Sequence, residues 1–295
     1  MTAVLIMTDG MRPDALPQVN TPHLDALQAR SAYTMAGSSV MPSVTLPCHT
    51  SIFHSVPPQR HGIVTNVWQP MARPLPGLVD QAHASGKRCH FYHNWEPLRD
   101  LNRPETLDFS YYRNNCYTPD GDNVIAAVAA AAITAERPDS RLRLPGHHRR
   151  GRPCLLAGCR TSICARPKRW TTPSAQLAAL TDADTVLLYS DHTAADRTHG
   201  TDAPEDSDHP PDAIAGPGIR RDTPSKLRSR CSTLRRRCAQ LNVPVHPHWE
   251  GGVRLTRYLW IDQSTCAPLT SRCSIRLFLY DKRCPWNPGL HGWSR

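Results

Sequence analysis

The sequence predicts an α/β fold with a mostly parallel central sheet flanked by helices, and irregular segments in the second half. Three observations carry this. Ala3-Val-Leu-Ile-Met7 and the run from Thr185 to Ser190 are short and apolar, as strands buried on both faces are. Strand and helix signals alternate through the first 138 residues, the order that a parallel sheet covered on both sides requires. Both apolar runs end in chemistry-bearing groups, Asp9 after the first and Asp191-His192 after the second. In open α/β sheets the carboxyl ends of the strands form the ligand-binding edge, so these three are candidate metal ligands.

The elements follow in order. Asn20-Thr-Pro-His-Leu-Asp-Ala-Leu27 starts a helix, with Thr21 as cap and Pro22 at the first position. Met41-Pro-Ser-Val-Thr-Leu-Pro-Cys-His-Thr-Ser-Ile-Phe-His54 places Thr45 where a loop turns into a helix, because Pro47 suits a first turn and residues 50–53 continue it. That position lies at the positive end of a helix dipole, where backbone N–H groups hold anions and a phosphate is the natural guest. Thr45 is the candidate nucleophile, and the amide of Asn66 could donate to a charged oxygen. Leu75 to Ser85 reads as a helix stopped by Gly86, Arg88 to His93 as a strand, and Asp122 to Ala135 as an alanine-rich helix. Residues 139–170 show no strand signal. A helix end at Gln176 to Leu180, a strand and turn over Ala213 to Ile219, and aperiodic stretches at 220–240 and 253–295 complete the chain.

At 295 residues the chain suffices for one large domain. The formal charge of +10 suggests a nucleic-acid partner until its distribution is seen: residues 1–138 carry 10 basic against 11 acidic groups, and the whole excess lies beyond them. Those later segments lack aromatic interleaving or a binding module, so a nucleic-acid partner is not expected. The cysteines have neither paired zinc-finger spacing nor a signal peptide before them. The opening apolar run meets Asp9 too soon to span a membrane, and a cytoplasmic chain without a membrane partner is expected.

Asp9, Thr45, Asn66, Asp191, His192 and His199 form an ordered set. With Thr45-Leu-Pro-Cys-His49, Arg60-His-Gly-Ile63 and Asn20-Thr-Pro-His-Leu-Asp25, it resembles the type I phosphodiesterase/nucleotide pyrophosphatase branch of the alkaline phosphatase superfamily. The resemblance is continuous over residues 1–138 and survives in islands after that. It implies an alkaline-phosphatase-like domain over residues 1–250, degenerate at 139–175 and 220–240, followed by an irregular tail at 251–295. It also implies a two-zinc hydrolase of small phosphate esters, nucleotides among them. Asp9, Asp191 and His192 would hold the metal that activates Thr45, Asn66 would support charge on the phosphate, and His199 would serve the second metal. A sulfatase is disfavoured, since Thr45-Leu-Pro-Cys48 lacks the Cys or Ser followed by x-Pro-x-Arg that such enzymes use.

The chain departs from the family where the second metal should be held. The family's Asp-x-x-Gly-His motif is missing, Thr193 stands where Gly is usual, and Ala194-Ala195 stand where Gly and His are common. Ser140 to Cys154 can be encoded so that dropping one base reads Ala-Ala-Phe-Val-Tyr-Leu-Gly-Thr-Thr-Asp-Ala-Ala-Gly-His, a strand followed by that motif. Ser225 to Cys238 can be encoded so that, two bases on, it contains Leu-Leu-Asp-Thr-Ala-Pro-Thr-Leu, like the family's late helix start. A frame-disrupted gene is therefore expected, which also accounts for the Arg, Pro and Cys excess. The resulting expectation is an impaired hydrolase, or a non-catalytic relic of one.

Overall fold

The computed structural model describes residues 2–14, 16–18, 20–118, 121–135, 179–193, 211–224 and 243–250, together with the strand backbones of 153–159 and 274–280. Among the described residues nine strands are assigned: β1 (Thr2–Thr8), β2 (Ser31–Thr34), β3 (Arg88–His93), β4 (Phe109–Tyr112), β5 (Pro153–Cys159), β6 (Thr185–Ser190), β7 (Asp212–Ala215), β8 (Thr223–Pro224) and β9 (Ser274–Tyr280). Five α-helices accompany them: α1 (Pro22–Ala29), α2 (Thr45–His54), α3 (Pro58–His61), α4 (Leu78–Ala84) and α5 (Gly121–Ala135). The strands form one sheet in the order β4-β3-β5-β9-β1-β6-β7-β2-β8. It is parallel except where β7 pairs with β6 and β2. This is the expected mostly parallel sheet, and the period of two along its strands divides the core. Leu5, Met7, Phe91, Leu187 and Tyr189 face α2 and α4, where Ile52, Phe53, Leu78 and Val79 cover them. Val4, Ile6, Tyr92, Val186 and Leu188 face Leu24 and Leu27 of α1 and Ile125 and Ala129 of α5.

Local chemistry sets the boundaries. The helix expected from Leu75 begins later, at Leu78, because Asp80 accepts the Gly77 N–H at 2.6 Å and fixes the first turn there. Thr21 precedes α1 as foreseen, but its hydroxyl donates to Asp25 at 2.9 Å and makes no backbone cap. Helix α5 opens on glycine of necessity, since a Cβ at residue 121 would lie 1.9 Å from the Asn115 carbonyl oxygen. Of the helix end expected at Gln176 to Leu180, only Ala179 and Leu180 are described, and they are not helical.

Two expectations are corrected. The sequence predicts no strand in 139–170 or 253–295, yet β5 and β9 fall there, and β9 joins the main sheet from within the expected irregular tail. The physical reason is local: Cys154-Leu-Leu-Ala157 is a short apolar run and Ser274-Ile-Arg-Leu-Phe-Leu-Tyr280 alternates, so each suits a position between strands despite its Arg- and Pro-rich surroundings. Both lie between β3 and β1. Val4 to Met7 register with Leu155 to Gly158 and also with Arg276 to Leu279, on the edge of β1 away from β6.

Buried histidines give the fold a definite pH response. Burial pushes His61 down to about 4, assisted by His54 nearby, and burial likewise pushes His93 to about 4. His61 is suited to the neutral form, its Nδ1 accepting the Ile63 N–H at 3.1 Å and its Nε2 lying 2.9 Å from the Ser51 hydroxyl. The unfolded chain charges these rings near the ordinary 6.5 and the folded chain only near 4. Their stabilisation is therefore complete above pH 6.5 and is lost as pH falls towards 4, at roughly 3 kcal/mol each. Against a domain stability of about 5–15 kcal/mol, that loss decides the outcome. Chemical-denaturation midpoints should fall steeply between pH 6.5 and 4, and His61→Gln should flatten part of that slope.

Candidate active site

Strands β1 and β6 are parallel neighbours with Thr8 opposite Ser190, so the residues that follow them, Asp9 and Asp191, emerge side by side at the carboxyl edge. The junction is tied from both strands. The Asp191 N–H donates to the Thr8 carbonyl at 3.1 Å, and Ser190 accepts the Met11 N–H while its hydroxyl donates to the His192 carbonyl. The chain then turns through Gly10 at φ +61°, where a Cβ would stand 3.7 Å from the His192 ring. Across this edge α2 delivers Thr45 as its first residue, with Val44 extended before it. Asp9 is 2 % exposed, and Thr45, Asp191 and His192 are fully buried.

Their orientations are fixed. Oδ1 of Asp191 accepts the N–H groups of Gly10 at 3.1 Å and His192 at 2.9 Å, which leaves Oδ2 for the site. Nδ1 of His192 lies 2.7 Å from the Thr193 carbonyl; a carbonyl only accepts, so Nδ1 carries the proton and Nε2 presents a lone pair. That partner is a backbone atom, so threonine in place of glycine at 193 leaves this contact intact. His192 Nε2 is 3.3 Å from Asp9 Oδ1 and 3.3 Å from Asp191 Oδ2. Thr45 Oγ1 is 3.5 Å from both Asp9 Oδ2 and His192 Nε2. Asp9, Asp191 and His192 can each offer a ligand atom within 4.8 Å of the others, a possible metal-binding triad.

The structure thus brings Asp9, Thr45, Asp191 and His192 together. Asn66 comes to the same helix end, its Oδ1 accepting the Leu46 N–H at 2.9 Å, which turns its NH2 outward as a donor. One expectation narrows: with Leu46 N–H engaged by Asn66 and Pro47 lacking an N–H, the first turn of α2 offers fewer backbone donors to an anion than its dipole alone suggests. His199 and the stretch around it lie outside the described residues. A cavity of about 340 Å³ beside the second half of α2, lined by Thr50, His54 and Trp68 among others, contains none of these side chains.

With this arrangement in view, residues 3–95 match the profile of the type I phosphodiesterase/nucleotide pyrophosphatase family. The matched stretch is about a third of the chain. It holds Asp9, Thr45 and Asn66 in one continuous match. No curated protein sequence matches the chain. Among solved structures, murine ectonucleotide pyrophosphatase/phosphodiesterase 5 is similar at 14% identity and TM-score 0.61, over 85% of this chain and 97% of that one. Phosphonate monoester hydrolase from Silicibacter pomeroyi is similar at 11% identity and TM-score 0.60, over 86% and 76%. A 2-O GAG sulfatase is similar at 13% and 0.55, over 85% and 73%. At these identities the likenesses carry the fold, which is alkaline-phosphatase-like.

Sequence reasoning gave no role to His49 or Ser39. The signal for His49 was its spacing of four from Thr45 on one helix, which stacks the two on one face. Ser39 carries no local sequence signal, since only the fold brings its hydroxyl to the Asp191 carbonyl, to which it donates.

Proposed function

We propose that the chain is a metal-dependent phosphoric-ester hydrolase of the phosphodiesterase/nucleotide pyrophosphatase type that uses Thr45 as nucleophile, impaired by loss of its second metal site. The observation that carries this reading is the convergence of Thr45 Oγ1, Asp9, Asp191 Oδ2 and His192 Nε2 at one buried point. Two carboxylates and an imidazole lone pair packed together away from water are like-signed electron donors, an arrangement that a divalent cation relieves. The donor set, one nitrogen and two carboxylates with a hydroxyl as the fourth, suits zinc. Bound there, zinc would lower the pKa of the threonine hydroxyl and neutralise charge on the phosphate.

The chain's own residues supply the rest. Thr45 Oγ bonds to phosphorus as the bond to the ester's alcohol breaks, with the Thr45 proton passing to Asp9 Oδ2 and the alcohol leaving as its anion, which takes a proton from solvent water. Asn66 NH2 holds a phosphate oxygen, and water then releases the phosphate from Thr45. One murine relative of the same fold was solved with AMP, which favours a nucleotide ester as the substrate. His199 would remain as the single ligand of the second metal. Zinc-loaded protein assayed on a nitrophenyl ester of a nucleotide tests the reading. Zinc-dependent release of nitrophenol supports it, and release that is indifferent to chelator contradicts it.

A second reading, a non-catalytic relic, is favoured by one observation: the sequence lacks the Asp-x-x-Gly-His motif that would complete the second metal site. Zinc binding without any ester hydrolysis would select it.

A further inference from the structure

We infer that the cavity beside the second half of α2 is a further binding site, suited to a small organic cation whose charged nitrogen is carried on an apolar body. Its volume of about 340 Å³ is that of a small-molecule pocket. It lies apart from the candidate active site. Thr50 and His54, which reach it from α2, follow Thr45 on the helix; at about 100° per residue they stand roughly 140° and 180° around the axis from it. The chain on either side of Asn66, Asp80 of α4 and the segment from Asp100 to Pro104 supply the remaining walls.

The hydrogen bonds already made around the cavity set the chemistry of the guest. The Thr50 hydroxyl donates to the Leu46 carbonyl at 2.7 Å, and His54 Nδ1 donates to the Thr50 carbonyl at 3.0 Å, which leaves His54 Nε2 as an acceptor. Burial holds His54 below its ordinary value, so the ring stays neutral. Asn102 donates to the Arg103 carbonyl at 3.5 Å, while its Oδ1 is buried without a partner. Asp80 accepts the Gly77 N–H through Oδ2 at 2.6 Å, and its Oδ1 lies 3.6 Å from Arg103 Nε, an ion pair without a hydrogen bond. Asp100 shares Arg99 with Glu96, at 3.5 Å against 2.7 Å for Glu96. Three carboxylates thus meet two guanidinium groups, and the buried part of the lining presents acceptors. The donors of Trp68, Gln69 and Arg103 belong to exposed side chains, which water satisfies. Met71, Pro74, Leu75 and Leu101 give the cavity apolar walls, and Trp68, 42 % exposed, adds an indole within reach of a guest. A cation gains from the indole and from the uncompensated carboxylate together. An anion would meet Asp80 and Asp100, and a guest without donors would leave the acceptors unpaired.

Three probes of one shape and different charge test this: para-fluorobenzylammonium, para-fluorobenzyl alcohol and para-fluorophenylacetate, each titrated into the full chain and followed by fluorine NMR. The ammonium should half-saturate at about 1 mM and bind roughly tenfold more tightly than the alcohol, and the acetate should not bind. Two substitutions locate the site. Trp68→Ala removes the indole and should weaken ammonium binding about fivefold. Asp80→Asn keeps an oxygen for the Gly77 N–H but removes a charge, and should cut the preference for ammonium over alcohol to about threefold or less. No saturable ammonium binding up to about 10 mM, an alcohol that binds as tightly, a preference for the acetate, or ammonium binding unchanged in both variants would overturn the inference. Should Asp80→Asn fail to fold, Trp68→Ala at an exposed position and the three probes on the parent chain still decide. None of these readouts involves a metal or ester hydrolysis, so their failure leaves the proposed function standing.

Discussion

Asp191→Asn should lower divalent-cation affinity about 100-fold or more and, in the metal-free chain, raise stability. The two effects have one cause. Asp191 Oδ2 stands 3.3 Å from His192 Nε2, which in turn stands 3.3 Å from Asp9 Oδ1, with the whole group buried. The amide oxygen of Asn can still accept the Gly10 and His192 N–H groups, so the junction of β1 and β6 keeps its hydrogen bonds while the site loses a negative ligand and gains an N–H. Without a cation, relief of repulsion between buried acceptors outweighs the weaker hydrogen bonds by roughly 1–3 kcal/mol. Calorimetric titration and denaturant midpoints, with and without zinc, check both signs. Unchanged affinity would move the cation elsewhere, and lower metal-free stability would show that the carboxylate is structural.

Thr45→Ala should reduce hydrolysis of a nitrophenyl nucleotide ester about 1,000-fold or more in a chain whose 140–154 segment has been restored to the shifted frame. It should leave cation binding within about threefold. The hydroxyl lies 3.5 Å from Asp9 Oδ2 and His192 Nε2, at the margin of hydrogen bonding, so the triad does not depend on it for shape. An alanine methyl cannot form a bond to phosphorus, and the residual rate would come from water attacking under the same charge stabilisation. Full activity in Thr45→Ala would remove Thr45 from the nucleophile role. Parent-like binding with lost turnover would separate the chemistry from the metal.

The extent to which the fold could be read from the chain varied for identifiable reasons. Strands β1 and β6 are buried on both faces and read as short apolar runs, and their ends located Asp9 and Asp191-His192 without further help. Helix α2 announced itself through Pro47 in its first turn. Short edge elements were harder: β2 is four residues long, and β4 exposes Phe109 and Tyr112, so neither has the continuous apolar run that betrays a central strand. Strands β5 and β9 were hidden because seven-residue stretches are outweighed by the Arg and Pro around them. At the site, Asp9, Asp191 and His192 were legible because they stand at strand ends, where an open α/β sheet places its ligand-binding residues. Ser39 was not: its contact with Asp191 spans 152 residues of sequence, and only the assembled sheet creates it.

The central claim is that this chain retains one complete metal site and has lost the other. Zinc content of the purified soluble chain, determined together with its phosphodiesterase rate, tests that most directly. The expected result is one zinc ion per chain, removable by chelator and absent in Asp191→Asn, with turnover about 1,000-fold or more below that of the frame-restored chain. The restored chain, having regained its Asp-x-x-Gly-His motif, is expected to hold two. The deficit follows from charge: a second cation stabilises the attacking and leaving oxygens together, a contribution of several kcal/mol to the transition state. Two zinc ions in the chain as it stands, with turnover equal to the restored form, would contradict the account.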